Sequence, residues 1–147
     1  MGFVFQFFNL ISALTALENV TLPMDLRAVP AAEQRARAVE LLERMGIDAR
    51  LQRAKANRMS GGEKQRVAIA RAMANDPDII LADEPTGNLD SATGRVVVDI
   101  LARLAREDDK CVIIVTHDES ILKVADRAYH MKDGKLSEHA RYRGART

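Results

Sequence analysis

The chain has one cysteine, Cys111, so no disulfide can close within it and nothing points to an oxidising compartment. No stretch approaches the ~18–20 consecutive apolar residues that a membrane-spanning helix needs. The opening residues, MGFVFQFFNL, lack the basic n-region and small-residue cleavage site of a signal peptide. An excess of charge is missing too: 22 Lys and Arg stand against 21 Asp and Glu. A net charge of +1 implies neither a nucleic-acid footprint nor an acidic partner. There is no internal repeat and no low-complexity segment. With 47% hydrophobic and 29% charged residues, the composition is that of an ordinary globular chain. Its default location is the cytosol, with room for a peripheral place on a membrane assembly. Phenylalanine is scarce and crowded. Phe3, Phe5, Phe7 and Phe8 are all the chain has, and a run this apolar reads as a buried strand entering a loop.

The pattern turns helical from about Ser12 to Asn75. Pro30 suits a helix start, Val39, Leu42 and Met45 fall at helical spacing, and Gly46 stands where a left-handed C-terminal cap belongs. A second helix is predicted from about Glu63 to Ala74, with Ile69 and Met73 on one side. The second half alternates strands and helices. Ile79 to Ala82 and Cys111 to Val115 read as parallel strands buried on both faces. Between them, Ser91 to about Arg106 presents Val97, Leu101 and Leu104 on one helix face. A short helix over about Glu119–Ala125 and a hairpin turning at Asp133-Gly134 complete the reading. The fold class is α/β: a layered parallel sheet with a helical insertion near the start.

Three segments carry chemistry. In MSGGEKQR, Ser60 and Glu63 have the spacing of a capping box. Gly61 and Gly62 inside it leave room for an anion to approach the helix N-terminus. In ILADEPTGNLD, two acids directly follow a buried strand, at the sheet edge where α/β proteins bind ligands. Asp83 is placed to hold Mg²⁺, usually through water, and Glu84 to activate or orient an attacking water. In VIIVTHD, His117 follows the other strand and is a candidate contact for a phosphate or that water.

Taken in order, Gln6 after a strand, SGGEKQR, ILADEPTGNLD and VTHD resemble the ATP-binding cassette (ABC) ATPases over essentially the whole chain. The resemblance implies a P-loop NTPase fold of ABC type. It makes Gln6 the Q-loop glutamine, which senses Mg²⁺ and the attacking water. Ser60, Gly61 and Gly62 become the signature motif that contacts the γ-phosphate of ATP held by the opposite subunit. Asp83 becomes the Walker B aspartate, Glu84 the catalytic glutamate, Asp90 the D-loop acid and His117 the switch histidine. The implied cofactors are ATP and Mg²⁺. The implied partners are a second ABC subunit, forming a homodimer in the intact protein, and a transmembrane permease that keeps the subunit at the inner face of the cell membrane. No nucleic-acid partner is expected: only about fifty residues separate Gln6 from Ser60, with no sustained heptads that would suggest a chromosome-organising ATPase. The GFVFQFFNL and DEPTGNLD segments look most like the branch of lipoprotein-release and macrolide-export ATPases.

One part of the family pattern is missing. A phosphate-binding loop requires G-x-x-x-x-G-K-S/T. The only Gly-Lys pair is Gly134-Lys135, with Leu136 after it and Tyr129 where the first Gly should be. The resemblance therefore implies a subunit truncated at its N-terminus, with Met1 an internal position of the family fold. It implies four segments: residues 1–10 as strand end and Q-loop, 11–76 as helical subdomain, 77–140 as the remaining core, and 141–147 as a basic tail. Two strand edges should lack the P-loop strand, and the chain alone should neither bind ATP tightly nor hydrolyse it. The alternative is a non-catalytic module that pairs with a complete ABC subunit through its signature motif.

Overall fold

The computed structural model describes residues 1–138, so the basic segment expected over 141–147 lies outside the described residues. Residues 1–116 form one compact unit and residues from His117 onward a second, smaller one. The first unit begins with β1 (Gly2–Val4), followed by α1 (Ala16–Asp25), α2 (Ala31–Arg44), α3 (Ala49–Gln52) and α4 (Gly61–Met73). Then come β2 (Ile79–Asp83), α5 (Ser91–Arg106) and β3 (Cys111–Val115). The three strands form a parallel sheet in the order β1-β2-β3, with Val4 beside Ala82 and Asp83 beside Val115. This is the expected α/β layer with a helical insertion.

Local chemistry explains where the helices start and stop. Thr15 caps α1 in a box closed by Glu18, the same pattern that Ser60 and Glu63 form on α4. At the other end of α2, Gly46 takes φ +70°, and the Ile47 N–H reaches back to the Leu42 carbonyl at 2.9 Å. Pro30 sits one residue earlier than a first-turn proline would: it is the N-cap of α2. The helix predicted from Glu63 starts at Gly61, because the capping box places Ser60 just outside the first turn.

The centre of the unit is α4, whose Val67, Ala68, Ile69, Ala70 and Met73 are buried. It packs against α1, α2, β1 and α5. Gly2 allows β1 to lie against it, since a β-carbon there would collide with the Ala72 carbonyl. Val97, Leu101 and Leu104 close the core from α5, on the one helix face expected of them.

Two burial expectations fail. The phenylalanine run is not core: Val4 is fully buried, but Phe3 is 45% and Phe7 72% exposed. The alternation of a strand puts Gly2 and Val4 inward and leaves Phe3 and Phe5 stacked on each other outside, ring centroids 6.0 Å apart. The second failure is β3. Val112 and Ile114 pack on the core, whereas Ile113 and Val115 are 46% and 55% exposed. A parallel strand is apolar on both faces because layers cover both. Here β3 is the edge of the sheet, and only its core-facing residues are covered among the described residues.

In the second unit, Asp118 accepts from the Ser120 N–H at 2.9 Å and caps the short helix expected over about Glu119–Ala125, which is a 3-10 turn over Glu119–Lys123. β4 (Tyr129–Lys132) and β5 (Lys135–Glu138) pair antiparallel. Their turn is Asp133-Gly134, both at positive φ, as the sequence predicted.

Several carboxylates tie this framework to pH. The Thr15 N–H and hydroxyl hold Glu18 below its ordinary value, the Lys110 ammonium does the same for Asp76, and the Thr93 hydroxyl for Asp90. A carboxylate with a depressed folded pKa stabilises the fold above its unfolded value and loses that contribution as pH falls through the folded one. Urea midpoints should therefore hold steady from neutral pH to about pH 5 and drop below about pH 4, near the unfolded values of such carboxyls.

Candidate functional site

The site is built where three connections of the first unit converge. Gln6 leaves β1 into a loop and is half-buried. Its carbonyl accepts from Asn88 Nδ2 at 2.9 Å, and a β-carbon on Gly87 would lie 2.8 Å from its Nε2. Gly87 thus makes room for the glutamine side chain. Gln6 and the turn after β2 are brought together.

Asp83 ends β2 and is exposed. Glu84 follows with φ +43°, its N–H donating to the Val115 carbonyl at 2.8 Å and its carboxylate accepting from the Thr116 hydroxyl at 3.1 Å. Two successive turns, Gly87 N–H to the Glu84 carbonyl and Leu89 N–H to the Thr86 carbonyl, then deliver Asp90 to the start of α5. Asp90 caps that helix: its carboxylate accepts from the Ala92 and Thr93 N–H groups at 3.0 Å and from the Thr93 hydroxyl at 2.6 Å.

Ser60, Gly61 and Gly62 reach the same place from α4. The Ser60 hydroxyl accepts from the Glu63 N–H and donates to its carboxylate at 2.9 Å. The glycines have a further physical reason besides anion access. A β-carbon on Gly61 would sit 3.2 Å from Leu89 Cδ2, and one on Gly62 would collide with Thr93 Cγ2. They let the N-terminus of α4 press against the residues around Asp90. The Gly61 and Gly62 N–H groups stand in the first turn, where no intrahelical acceptor exists. His117 opens the second unit, exposed, directly after β3 and Thr116 in the chain.

Sequence reasoning missed the side chains that hold these pieces in place. Arg71 of α4 donates to the carbonyls of Phe8 and Asn9, gripping the loop that carries Gln6. Burial pushes its guanidinium pKa down. Thr93, Asn88 and the buried Gln65 are equally structural, and each lies in a segment already singled out.

Comparisons with known proteins identify the family. A family profile described as ABC transporter matches residues 1–87. The ABC transporter ATP-binding protein MJ0796 of Methanocaldococcus jannaschii is 49% identical over 147 aligned residues, 98% of this chain and 63% of that protein. The chain belongs to the ABC transporter ATP-binding family. The lipoprotein-releasing system ATP-binding protein LolD of Bacteroides fragilis is 47% identical over 92% of this ABC chain and 62% of its own length. Among solved structures, a dimeric MJ0796 cassette superposes with a TM-score of 0.81 at 48% identity, covering 94% of this chain and 62% of that one. A post-hydrolysis MJ0796 dimer bound to ADP and Pi superposes with 0.80. The chain thus spans 54–63% of the length of the first three curated relatives it matches.

The family's nucleotide can be tested against the residues present. Asp83 and Gln6 offer the hard oxygen ligands that suit Mg²⁺. Among the described residues no three His, Cys, Asp or Glu side chains cluster, so a cation here needs water or phosphate oxygens to complete its shell. No G-x-x-x-x-G-K-S/T loop is present to cradle a triphosphate, and the Ser60 hydroxyl is engaged with Glu63.

Proposed function

We propose that this chain carries the signature and Walker B parts of the ATP-hydrolysing subunit of an ABC transporter, coupling hydrolysis to export or release of a substrate. On this reading Asp83 and Gln6 attend Mg²⁺, and Glu84 orients the attacking water. His117 steadies the γ-phosphate region, and Asp90 faces the subunit interface. Ser60, Gly61 and Gly62 address ATP on a partner subunit. The permease through which the work is delivered holds the assembly at the cytoplasmic face of the membrane. The lipoprotein-releasing relatives favour that branch for the substrate. The observation that carries the proposal is the convergence of Gln6, the Glu84–Asp90 turn and the Ser60–Gly62 helix start in one unit.

A second reading shares this geometry: a non-catalytic module that lends its signature motif to a complete subunit. The absence of a phosphate loop favours it for the chain by itself. Both readings require the helix start at Ser60 to recognise nucleotide held by another subunit. Purified chain should associate with full-length MJ0796 in the presence of a non-hydrolysable ATP analogue, and Ser60→Arg should abolish that association. Association that is equal with and without nucleotide would contradict both. Hydrolysis in the mixed complex that depends on Glu84 would separate the first from the second.

A further inference from the structure

Gln65 lies on α4 and is fully buried. Its Nε2 donates to the Pro85 carbonyl at 2.8 Å, and that partner can only accept, so the amide orientation is fixed. Its Oε1 has no hydrogen-bond partner among the described residues. A buried acceptor without a donor is destabilising. Methionine would fill the same length with no such penalty. The bond to Pro85 is what the amide contributes.

Pro85 follows Glu84, and Glu84 is the strained residue of this region. A residue before proline is pushed toward extended backbone, yet Glu84 has φ +43°. A non-glycine residue keeps such a conformation only where its surroundings over-determine it. On one side the Val115 carbonyl accepts the Glu84 N–H at 2.8 Å, anchoring it to the edge of the sheet. On the other side Gln65 holds the next carbonyl, and the Gly87 N–H closes back onto the Glu84 carbonyl at 3.1 Å. Without the Gln65 amide, the peptide after Glu84 loses its attachment to α4 and a buried carbonyl loses its donor.

We infer that Gln65 is a positioning residue: through the Pro85 carbonyl it holds Glu84 in its left-handed conformation and joins the helix that begins at Ser60 to the acid that follows β2. The link is read from geometry, and its meaning for hydrolysis rests on the function proposed above. A shift at the start of α4 would then reach Glu84 through one side chain, within one chain.

The test is nuclear magnetic resonance on the full chain, which needs no nucleotide. A failure here is therefore distinct from a failure of nucleotide-dependent association. In the native chain Glu84 should show the strong intraresidue HN–Hα cross-peak of a positive φ, and one Gln65 side-chain amide proton should be protected from exchange. In Gln65→Met the Glu84 cross-peak should weaken. The Glu84 and Gly87 amides should exchange about tenfold faster or more, while those of Leu81 and Ala82 keep their rates. An unchanged Glu84 signature, or protection lost evenly across the first unit, would overturn the assignment. Should the variant not fold, the native chain still decides: a freely exchanging Gln65 amide overturns the inference and a protected one supports it.

Discussion

Asn19→Leu is expected to lower the stability of the first unit by about 2 kcal/mol, read as a drop in urea midpoint with little change in slope. Asn19 is fully buried in α1, yet its side chain serves the segment before the helix. Its Oδ1 accepts from the Ile11 N–H at 2.8 Å, and its Nδ2 donates to the carbonyls of Ile11 at 3.1 Å and Thr15 at 2.9 Å. Leucine has similar volume and would pack, but it leaves the Ile11 N–H without its acceptor, while the Ile11 carbonyl keeps only the Leu14 N–H at 3.1 Å. Each orphaned group costs about 1–3 kcal/mol. The segment so held runs from the Gln6 loop into the helices, so its release should also speed proteolysis near Ile11. A loss below about 1 kcal/mol would show that water replaces the amide there.

Gly62→Ala should cost about 2 kcal/mol, the middle of the range for forcing an extra methyl into a packed site. The new β-carbon meets Thr93 Cγ2, and Thr93 cannot simply rotate, because its hydroxyl donates to Asp90 at 2.6 Å. Either α4 backs away from α5 or the Thr93–Asp90 bond breaks. Thr93→Ser removes the obstructing methyl and keeps the hydroxyl. Adding it to Gly62→Ala should recover more than half of the lost stability, a coupling that a thermal-melt double-mutant cycle would read. Additive effects would mean that Gly62 matters for something other than this contact.

Much of the fold was legible because its signals are local. The Ser60–Glu63 capping box, the glycine ending α2, the Asp133-Gly134 turn and the apolar faces of α4 and α5 are each set by residues within a few positions. The candidate site was legible through motif order. What escaped was long-range. Nothing within reach of Asn19 in sequence announces that it will be buried, and the link from Gln65 to Pro85 appears only when α4 packs beside the turn after β2. Burial of the Phe run and of β3 was misjudged for one reason: apolar composition states what a strand can bury, while neighbours decide what it does bury. The glycines of the signature segment show the same limit. Their spacing suggested anion access, and packing adds Leu89 and Thr93 as a second reason for having no side chain.

The function proposed above has Asp83, Glu84 and Ser60 to Gly62 serving a γ-phosphate that a partner subunit's nucleotide supplies. Calorimetric titration of Mg·ATP into the purified chain, followed by a phosphate-release assay, tests it most directly. The expected result is no binding in the micromolar range and no turnover above background. Micromolar binding, or turnover that Glu84→Gln abolishes, would contradict it.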